Sequence, residues 1–180
     1  MFGIPRWNIA IIVLALFTMF GYSAYFDTPT PERTVEKFYT SFYSGDFEQA
    51  VDYLSVNMAY PLLFPRYMQT PPAELLQRED QIRNEMAQAF SEAIPENPGE
   101  IKVSIRSDYT KTGEKSAIVV YDYKVPEQDL KGNEVAILIK ETGKWRLLEI
   151  SDATGSDLSA LKSFDMKKMD EQVEQLLNVS

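Results

Sequence analysis

Between residues 31 and 93 the hydrophobic positions recur every three to four residues, the spacing of amphipathic helices. Thr30 is placed to cap a first helix with Pro31 at its first position, and Asp46 is placed to cap a second. A third helix is predicted from about Pro72 to Ala93. The positions expected on the buried sides of these helices are Val35, Phe38, Tyr39, Phe42, Phe47, Ala50, Val51, Leu54, Leu75, Ile82, Met86, Ala89, Phe90 and Ala93.

An irregular segment, residues 55–71, separates the second helix from the third. Its stretch Tyr60–Pro65 is apolar and bounded by prolines. Such a stretch either packs into the core or rests on a membrane, and we favour packing into the core.

From Glu100 onward the hydrophobic period shortens to two residues, which indicates β-strands. The predicted strands are residues 101–106, Ser116–Val125, Glu134–Glu141 and Trp145–Ile150. A turn at residues 111–115, a polar loop at 126–132 and a tight hairpin at Thr142 and Gly143 connect them. Helices followed by an antiparallel meander predict an α+β fold with helices packed on a sheet of about four strands.

The predicted sheet is apolar on both faces, so a second element must shield the face that the three helices do not cover. One face is expected to carry Val119, Tyr121, Val135, Ile137, Trp145 and Leu147, and the other Ile118, Val120, Leu138, Leu148 and Ile150. Beyond a linker predicted to be flexible, Ser151–Ser156, a C-terminal helical region has apolar residues at Leu158, Leu161, Met166, Met169, Val173, Leu176 and Leu177. We predict that it packs on the sheet's outer face. The alternative is that its face of Met166, Met169, Val173 and Leu176 binds a partner protein.

The run Trp7–Phe26 contains no Asp, Glu, Lys or Arg. As a helix it would span roughly 30 Å, the thickness of a bilayer's hydrocarbon core. A cleaved signal peptide is the less favoured alternative, because Tyr22 occupies the position two residues before Ala24 where cleavage needs a small residue. Arg6 is the only charged side chain before the run, which predicts that residues 1–6 are cytoplasmic and the domain is outside.

Composition excludes several classes of function. Without Arg6, 17 basic and 27 acidic residues leave a net charge of −10, which disfavours binding to nucleic acids. The chain has no cysteine and no histidine, which removes disulfides, thiolate metal sites and the commonest general base. We expect no cofactor, no metal and no catalytic residue.

The carboxylates best placed for catalysis lie beside tyrosines: Asp52 next to Tyr53, and Asp122 between Tyr121 and Tyr123. Asp122 alternates away from both tyrosines on a strand, and Asp52 lies on the polar side of its helix. Asp122 is therefore expected to face neither tyrosine, and Asp52 to be a solvated charge.

Four segments resemble the nuclear transport factor two-like superfamily, particularly its membrane-anchored bacterial domains of unknown function: Thr34–Tyr39, Ser44–Ala50, Tyr53–Ser55 and Gly143–Leu147. The resemblance covers about residues 31–151. It implies a strongly bent sheet that wraps the helices into a cone, with a pocket at the open end that Tyr39, Tyr53, Tyr121 and Trp145 would line. Some members are isomerases or dehydratases, and many others only bind or scaffold.

The sequence therefore predicts a single-pass cell-membrane protein: residues 1–6 are a cytoplasmic tail, 7–26 the anchor in the lipid bilayer and 27–30 a linker. Residues 31–151 are the α+β domain, and residues 152–180 a linker with an amphipathic helix. We expect a non-catalytic domain that binds or scaffolds another envelope protein; one anchor with this fold resembles a component of bacterial type IV secretion and conjugation machines. The alternative is a small-molecule-binding domain or a cofactor-free isomerase or dehydratase that uses the cone pocket.

Overall fold

The computed structural model describes residues 29–57, 63–94 and 99–177. The predicted anchor, Trp7–Phe26, lies outside these ranges. Within them, no helix combines the length and the apolar character needed to cross a bilayer.

Two helices open the domain as the sequence predicts: α1 spans Pro31–Tyr43 and α2 spans Phe47–Val51. The Thr30 hydroxyl accepts a hydrogen bond from the backbone N–H of Arg33, at 3.3 Å. The Asp46 carboxylate accepts one from the third residue of α2, at 3.0 Å. Each cap satisfies an N–H group that has no partner inside its helix, which confirms both predicted helix starts.

The single helix predicted over residues 72–93 is wrong, because the chain forms two. α3 spans Pro72–Gln77 and α4 spans Glu79–Ala93. The break is at Arg78, whose backbone angles of φ −109° and ψ 19° lie outside the α-helical region.

The buried side of α4 also differs from the prediction. Arg83 and Ala87 are buried, whereas Ala93 is exposed and Ala89 and Phe90 are half-buried. The physical reason is that α4 packs along α2, whose final carbonyls the guanidinium of Arg83 reaches.

The irregular segment contains a short 3₁₀ helix, Pro65–Tyr67. Phe64 is half-buried against the core, whereas Leu63 and Met68 are exposed by 47% and 66%. Within the part of this segment that the structure describes, core packing therefore applies to Phe64 and not to Leu63.

Five strands form one antiparallel sheet: β1 Lys102–Ile105, β2 Lys111–Thr112, β3 Ser116–Val125, β4 Leu130–Glu141 and β5 Lys144–Asp152. Their order is β1-β3-β4-β5, and β2 also pairs with β3. β2 replaces part of a predicted turn, and β4 begins four residues earlier than predicted. Thr142 and Gly143 have φ angles of 48° and 82°, the geometry of a tight hairpin, which confirms that prediction.

The predicted faces of β4 and β5 are partly wrong. Ala136 lies opposite Val119 and Leu138 opposite Ala117, so Ala136 and Leu138 face the core. The predicted positions Val135 and Ile137 are half-buried on the other face. A bulge shifts the pairing of β4 and β5 between residues 137 and 138, which also brings Ile150 to the core side. A one-residue change of register moves every side chain to the opposite face.

The main core lies between α1, α2 and α4 and the face of the sheet that they cover, called here the inner face. Its fully buried members include Val35, Met86, Val119, Leu138 and Leu147. Each such side chain contributes about 1.5–3 kcal/mol when it leaves water. Residue Leu54 also forms a parallel bridge with Leu147, which joins the end of α2 to β5.

The C-terminal region consists of two helices, α5 Gly155–Lys162 and α6 Met166–Leu177. α6 contacts β3 and buries Val173, as predicted for a cover of the sheet. The predicted flexible linker Ser151–Ser156 is wrong. Its first residues continue β5, and Thr154 forms a reciprocal capping box with Asp157 at the start of α5.

Candidate functional site

Five side chains form a tyrosine cluster between α1 and the inner face of the sheet: Tyr39, Tyr43, Tyr121, Tyr123 and Glu134. Tyr39 and Tyr43 are one turn apart on α1, so both point in the same direction. Tyr121 and Tyr123 are two residues apart on β3 and share a face. Glu134 lies directly opposite Tyr121 in the sheet.

Gly132 explains how the cluster fits over β4. It lies opposite Tyr123, and a Cβ atom at residue 132 would be 2.8 Å from the Tyr123 ring. The glycine therefore leaves room for the ring to lie across the strand.

Three members of the cluster form a directed hydrogen-bond chain. The Tyr39 hydroxyl donates to Glu134 Oε2 at 2.6 Å and is 2.9 Å from the Tyr121 hydroxyl. A phenol has a single O–H donor, so Tyr121 must donate to Tyr39. Burial, then the hydrogen bond to Glu134, raises the pKa of Tyr39. Burial and the adjacent Tyr39 raise the pKa of Tyr121. Both phenols are therefore protonated donors and not nucleophiles at neutral pH.

An open groove of about 470 Å³ lies beside the cluster. Tyr43 connects the two, because it lines the groove and has its pKa raised by burial and by Glu134. The other lining residues are Thr40, Ser44, Gly99, Glu100, Ile101 and Glu127. The groove thus combines one aromatic side chain, Tyr43, with two acidic residues, Glu100 and Glu127, and it opens on the surface.

The structure divides the predicted pocket residues into two pairs. Tyr39 and Tyr121 touch, with ring centroids 5.5 Å apart. Trp145 lies opposite Lys140, six residues along β4 from the tyrosine cluster. The backbone of Tyr53 bonds to β5 near Trp145, where its carbonyl accepts from the N–H of Leu147 at 2.7 Å.

Neither Asp122 nor Asp52 is buried, and Asp122 lies on the opposite face of β3 from Tyr121. Asp122 is half-exposed on the outer face, 3.9 Å from Arg106, and Asp52 is 62% exposed and 3.9 Å from Arg83. In residues 29–57, 63–94 and 99–177, no group of three or more acidic side chains is arranged to hold a metal ion.

The sequence did not indicate a buried ionic cluster near the Trp145 end of the sheet. Arg83 and Arg146 share Glu79, with the nearest atoms 2.6 Å and 3.5 Å apart. Arg83 also donates to the carbonyls of Val51 and Leu54 at the end of α2. The only sequence signal was that Arg83 falls beside Ile82 on the apolar side of α4.

Glu141 is the buried carboxylate of this cluster and is 4% exposed. Its Oε1 accepts hydrogen bonds from Ser55 and Asn57. Burial raises the pKa of Glu141, although those hydrogen bonds and the charges of Arg83 and Arg146 oppose the change. Burial and the charge of Arg83 lower the pKa of Arg146. These groups join α2, α4 and the sheet, which is a structural role.

Comparison with known proteins gives similarities of fold at low identity. No protein-family model and no curated protein matches the chain. A solved NTF-2-like protein of unknown function from Shewanella oneidensis MR-1 is 14% identical over 66% of this chain and 91% of its own, with a TM-score of 0.44. An NTF2-like protein of unknown function from Cytophaga hutchinsonii ATCC 33406 is 10% identical over 70% and 92%, with a TM-score of 0.38. Both are described as members of the superfamily that the sequence resembles.

Proposed function

We propose that the chain is a non-catalytic, membrane-tethered extracytoplasmic domain that binds or scaffolds another protein of a bacterial envelope complex. The observation that carries this proposal is the filled space between α1 and the sheet. Tyr39 and Tyr121 occupy it with 9% and 0% of their surfaces exposed, and the Tyr121 hydroxyl donates to that of Tyr39, which donates to Glu134. Three cavities among the described residues are grooves that open on the surface, where a protein partner can bind.

The tether rests on the sequence and on where the domain begins. The apolar run ends at Phe26, and α1 starts at Pro31. Only residues 27–30 separate them, and two of those four are rigid or capping residues, Pro29 and Thr30. A connector this short keeps the domain close to the bilayer.

The absence of cysteine from the chain permits a clean test of topology. A single cysteine is introduced either at the exposed Ser156, as S156C, or before the anchor, as G3C. In intact spheroplasts a membrane-impermeant maleimide is expected to label S156C, and to label G3C only after permeabilisation. Labelling of both or of neither variant before permeabilisation would contradict the proposed orientation.

Partner binding is tested by photo-crosslinking in native membranes. A photoreactive residue replaces the exposed Glu171 on α6 or Lys131 on β4, and the exposed Glu36 on α1 serves as the control position. A discrete protein adduct from α6 or β4, absent from the α1 position, is expected. Only diffuse products, or the same adducts from all three positions, would refute a specific scaffold.

A second function is favoured by one specific feature, the half-buried carboxylate of Glu134 beside the groove. A carboxylate held by a phenol, with Tyr43 between it and the groove, could bind a small molecule or take a proton, as in a cofactor-free isomerase or dehydratase. The E134Q variant should then release a co-purifying ligand that wild type and the control variant E36Q, at an exposed position of α1, both retain. Identical small-molecule content in all three proteins would exclude this alternative.

A further inference from the structure

The strongest polar contact between the C-terminal helices and the sheet is made by one carboxylate. Asp170 of α6 accepts hydrogen bonds from three consecutive backbone N–H groups of the hairpin between β2 and β3. The distances to the N–H groups of Glu114, Lys115 and Ser116 are 2.8, 3.1 and 2.8 Å, and the Ser116 hydroxyl adds a fourth contact at 2.6 Å. Successive N–H groups that converge in this way form a backbone nest, a site that recognises an anion.

Gly113 is what allows the carboxylate to enter the nest. A Cβ atom at this position would be 2.4 Å from Asp170 Oδ2. Any side chain at residue 113 would therefore push the carboxylate out.

Two more residues lie on the same side of α6, the helix that contacts β3. Val173, three residues after Asp170, is 4% exposed. Glu174, four residues after Asp170, forms an ion pair with Lys115 at 2.8 Å. Positions i, i+3 and i+4 lie on one face of a helix. This face of α6 therefore carries a carboxylate, an aliphatic side chain and a second carboxylate, and both carboxylates bind the hairpin.

The rest of the C-terminal region buries few side chains. No residue of α5 is buried, and Val173 is the only buried side chain among those described in α6. The end of α5 is fixed to the same hairpin, because Lys111 Nζ donates to the carbonyls of Lys162 and Phe164 at 2.9 and 3.0 Å. Lys162 also lies over the ring of Tyr109, at 5.4 Å, so these polar and cation–π contacts to the C-terminal helices come from residues 109–116.

We propose that the β2–β3 hairpin and the adjoining surface of β3 form a docking site for an amphipathic helix that carries a carboxylate, an aliphatic residue three positions later and a second carboxylate at the fourth. The chain's own α6 is the resident occupant, and a partner helix with the same pattern displaces it. A free anion would fill only the nest. Burial of an aliphatic residue like Val173, and an ion pair of Lys115 with a carboxylate one helical turn beyond the first, require a helix. This deepens the proposed binding function by naming the chemistry of the partner.

The resident helix competes strongly because it is tethered. A short connection gives an effective concentration on the order of millimolar, so a free helix exchanges poorly with the intact site. Replacing Asp170 by Asn removes the charge from four hydrogen bonds, which should weaken the resident helix by about tenfold or more. The site on the hairpin is untouched by this change.

The experiment uses the chain's own helix as the probe, a fluorescent peptide of residues 163–177, and follows its anisotropy with full-length protein in detergent. D170N is expected to bind the peptide at least about tenfold more tightly than wild type. D170N combined with G113A should lose that binding, and a peptide carrying the D170N change should bind no variant. D165N is the matched control, because Asp165 accepts a hydrogen bond from the N–H of Lys167 and from no residue of the hairpin among those that the structure describes.

Melting followed by circular dichroism checks that each variant is folded, and S116A replaces G113A if the latter unfolds. Failure of D170N to bind the peptide at up to about 1 mM, or equal binding by D165N and D170N, would overturn the docking site. The assay requires neither a membrane nor an envelope partner, so its failure is distinguishable from failure of the topology and crosslinking tests.

Discussion

The hydrogen-bond chain from Tyr121 through Tyr39 to Glu134 predicts unequal costs for two matched substitutions. Y39F removes the middle member of the chain and with it a hydrogen bond to a carboxylate, which costs about 1.5–3 kcal/mol. It also leaves the hydroxyl of the fully buried Tyr121 without its acceptor, which costs about 1 kcal/mol more. Glu134 is half-buried and can turn to water, which lowers the total. We expect Y39F to cost about 2–4 kcal/mol.

Y121F removes only the terminal donor and leaves one lone pair of Tyr39 unused, which should cost about 1 kcal/mol. The double variant removes both hydroxyls and has no orphaned donor, so it should cost no more than Y39F alone. Urea unfolding of the full-length chain in a non-ionic detergent, followed by near-ultraviolet circular dichroism, measures these free energies.

Y109F is the matched control, because the Tyr109 hydroxyl has no hydrogen-bond partner among the described residues and the change should be within about 0.5 kcal/mol of wild type. Additive costs in the double variant, or a larger cost for Y121F than for Y39F, would refute the direction assigned to the chain.

Three further predictions use the same unfolding assay. Burial raises the pKa of Glu141, so wild type loses stability as the pH rises from the unfolded carboxyl pKa of about 4.3 through the folded value. The E141Q substitution should therefore reduce the free energy of unfolding less at pH 8 than at pH 4. Equal reductions at the two pH values would contradict this. R83M should cost about 3 kcal/mol because it strips the buried carbonyls at the end of α2, whereas R106M, at a surface ion pair, should cost less than about 1 kcal/mol. G132A should cost about 1–3 kcal/mol by displacing a tyrosine ring, whereas G155A, with open space at the start of α5, should be neutral or stabilising by up to about 1 kcal/mol.

The sequence was sufficient for features that depend on near neighbours. The starts of α1 and α2 were predicted from Thr30 and Asp46, because a cap and the N–H that it satisfies are three residues apart. The limits of β3 were predicted from the turn and the polar loop that flank its apolar run, and the turn at Thr142 and Gly143 from its residue types. The α+β order followed from the change of period near Glu100.

Only the tertiary structure decided which faces meet. The pairing of Val119 with Ala136 places Val135 and Ile137 outside the main core, and no local pattern distinguishes two registers that differ by one residue when both faces are apolar. Likewise, Tyr39 and Tyr121 were each predicted to line a pocket, but the hydrogen bond between Tyr39 and Glu134 joins residues 95 positions apart and was not predicted. Such contacts depend on how α1 lies across the sheet, which is set by packing over the whole domain.

The ends of the domain show the same division. The spacing of Met166, Met169 and Val173 predicted a helix with one apolar face, because that information is contained in twelve residues. Where this helix docks depended on the hairpin at residues 113–116, more than fifty residues earlier in the chain, whose N–H groups converge only when β2 pairs with β3. A helix thus follows from its own sequence, whereas its binding site exists only once distant strands have paired.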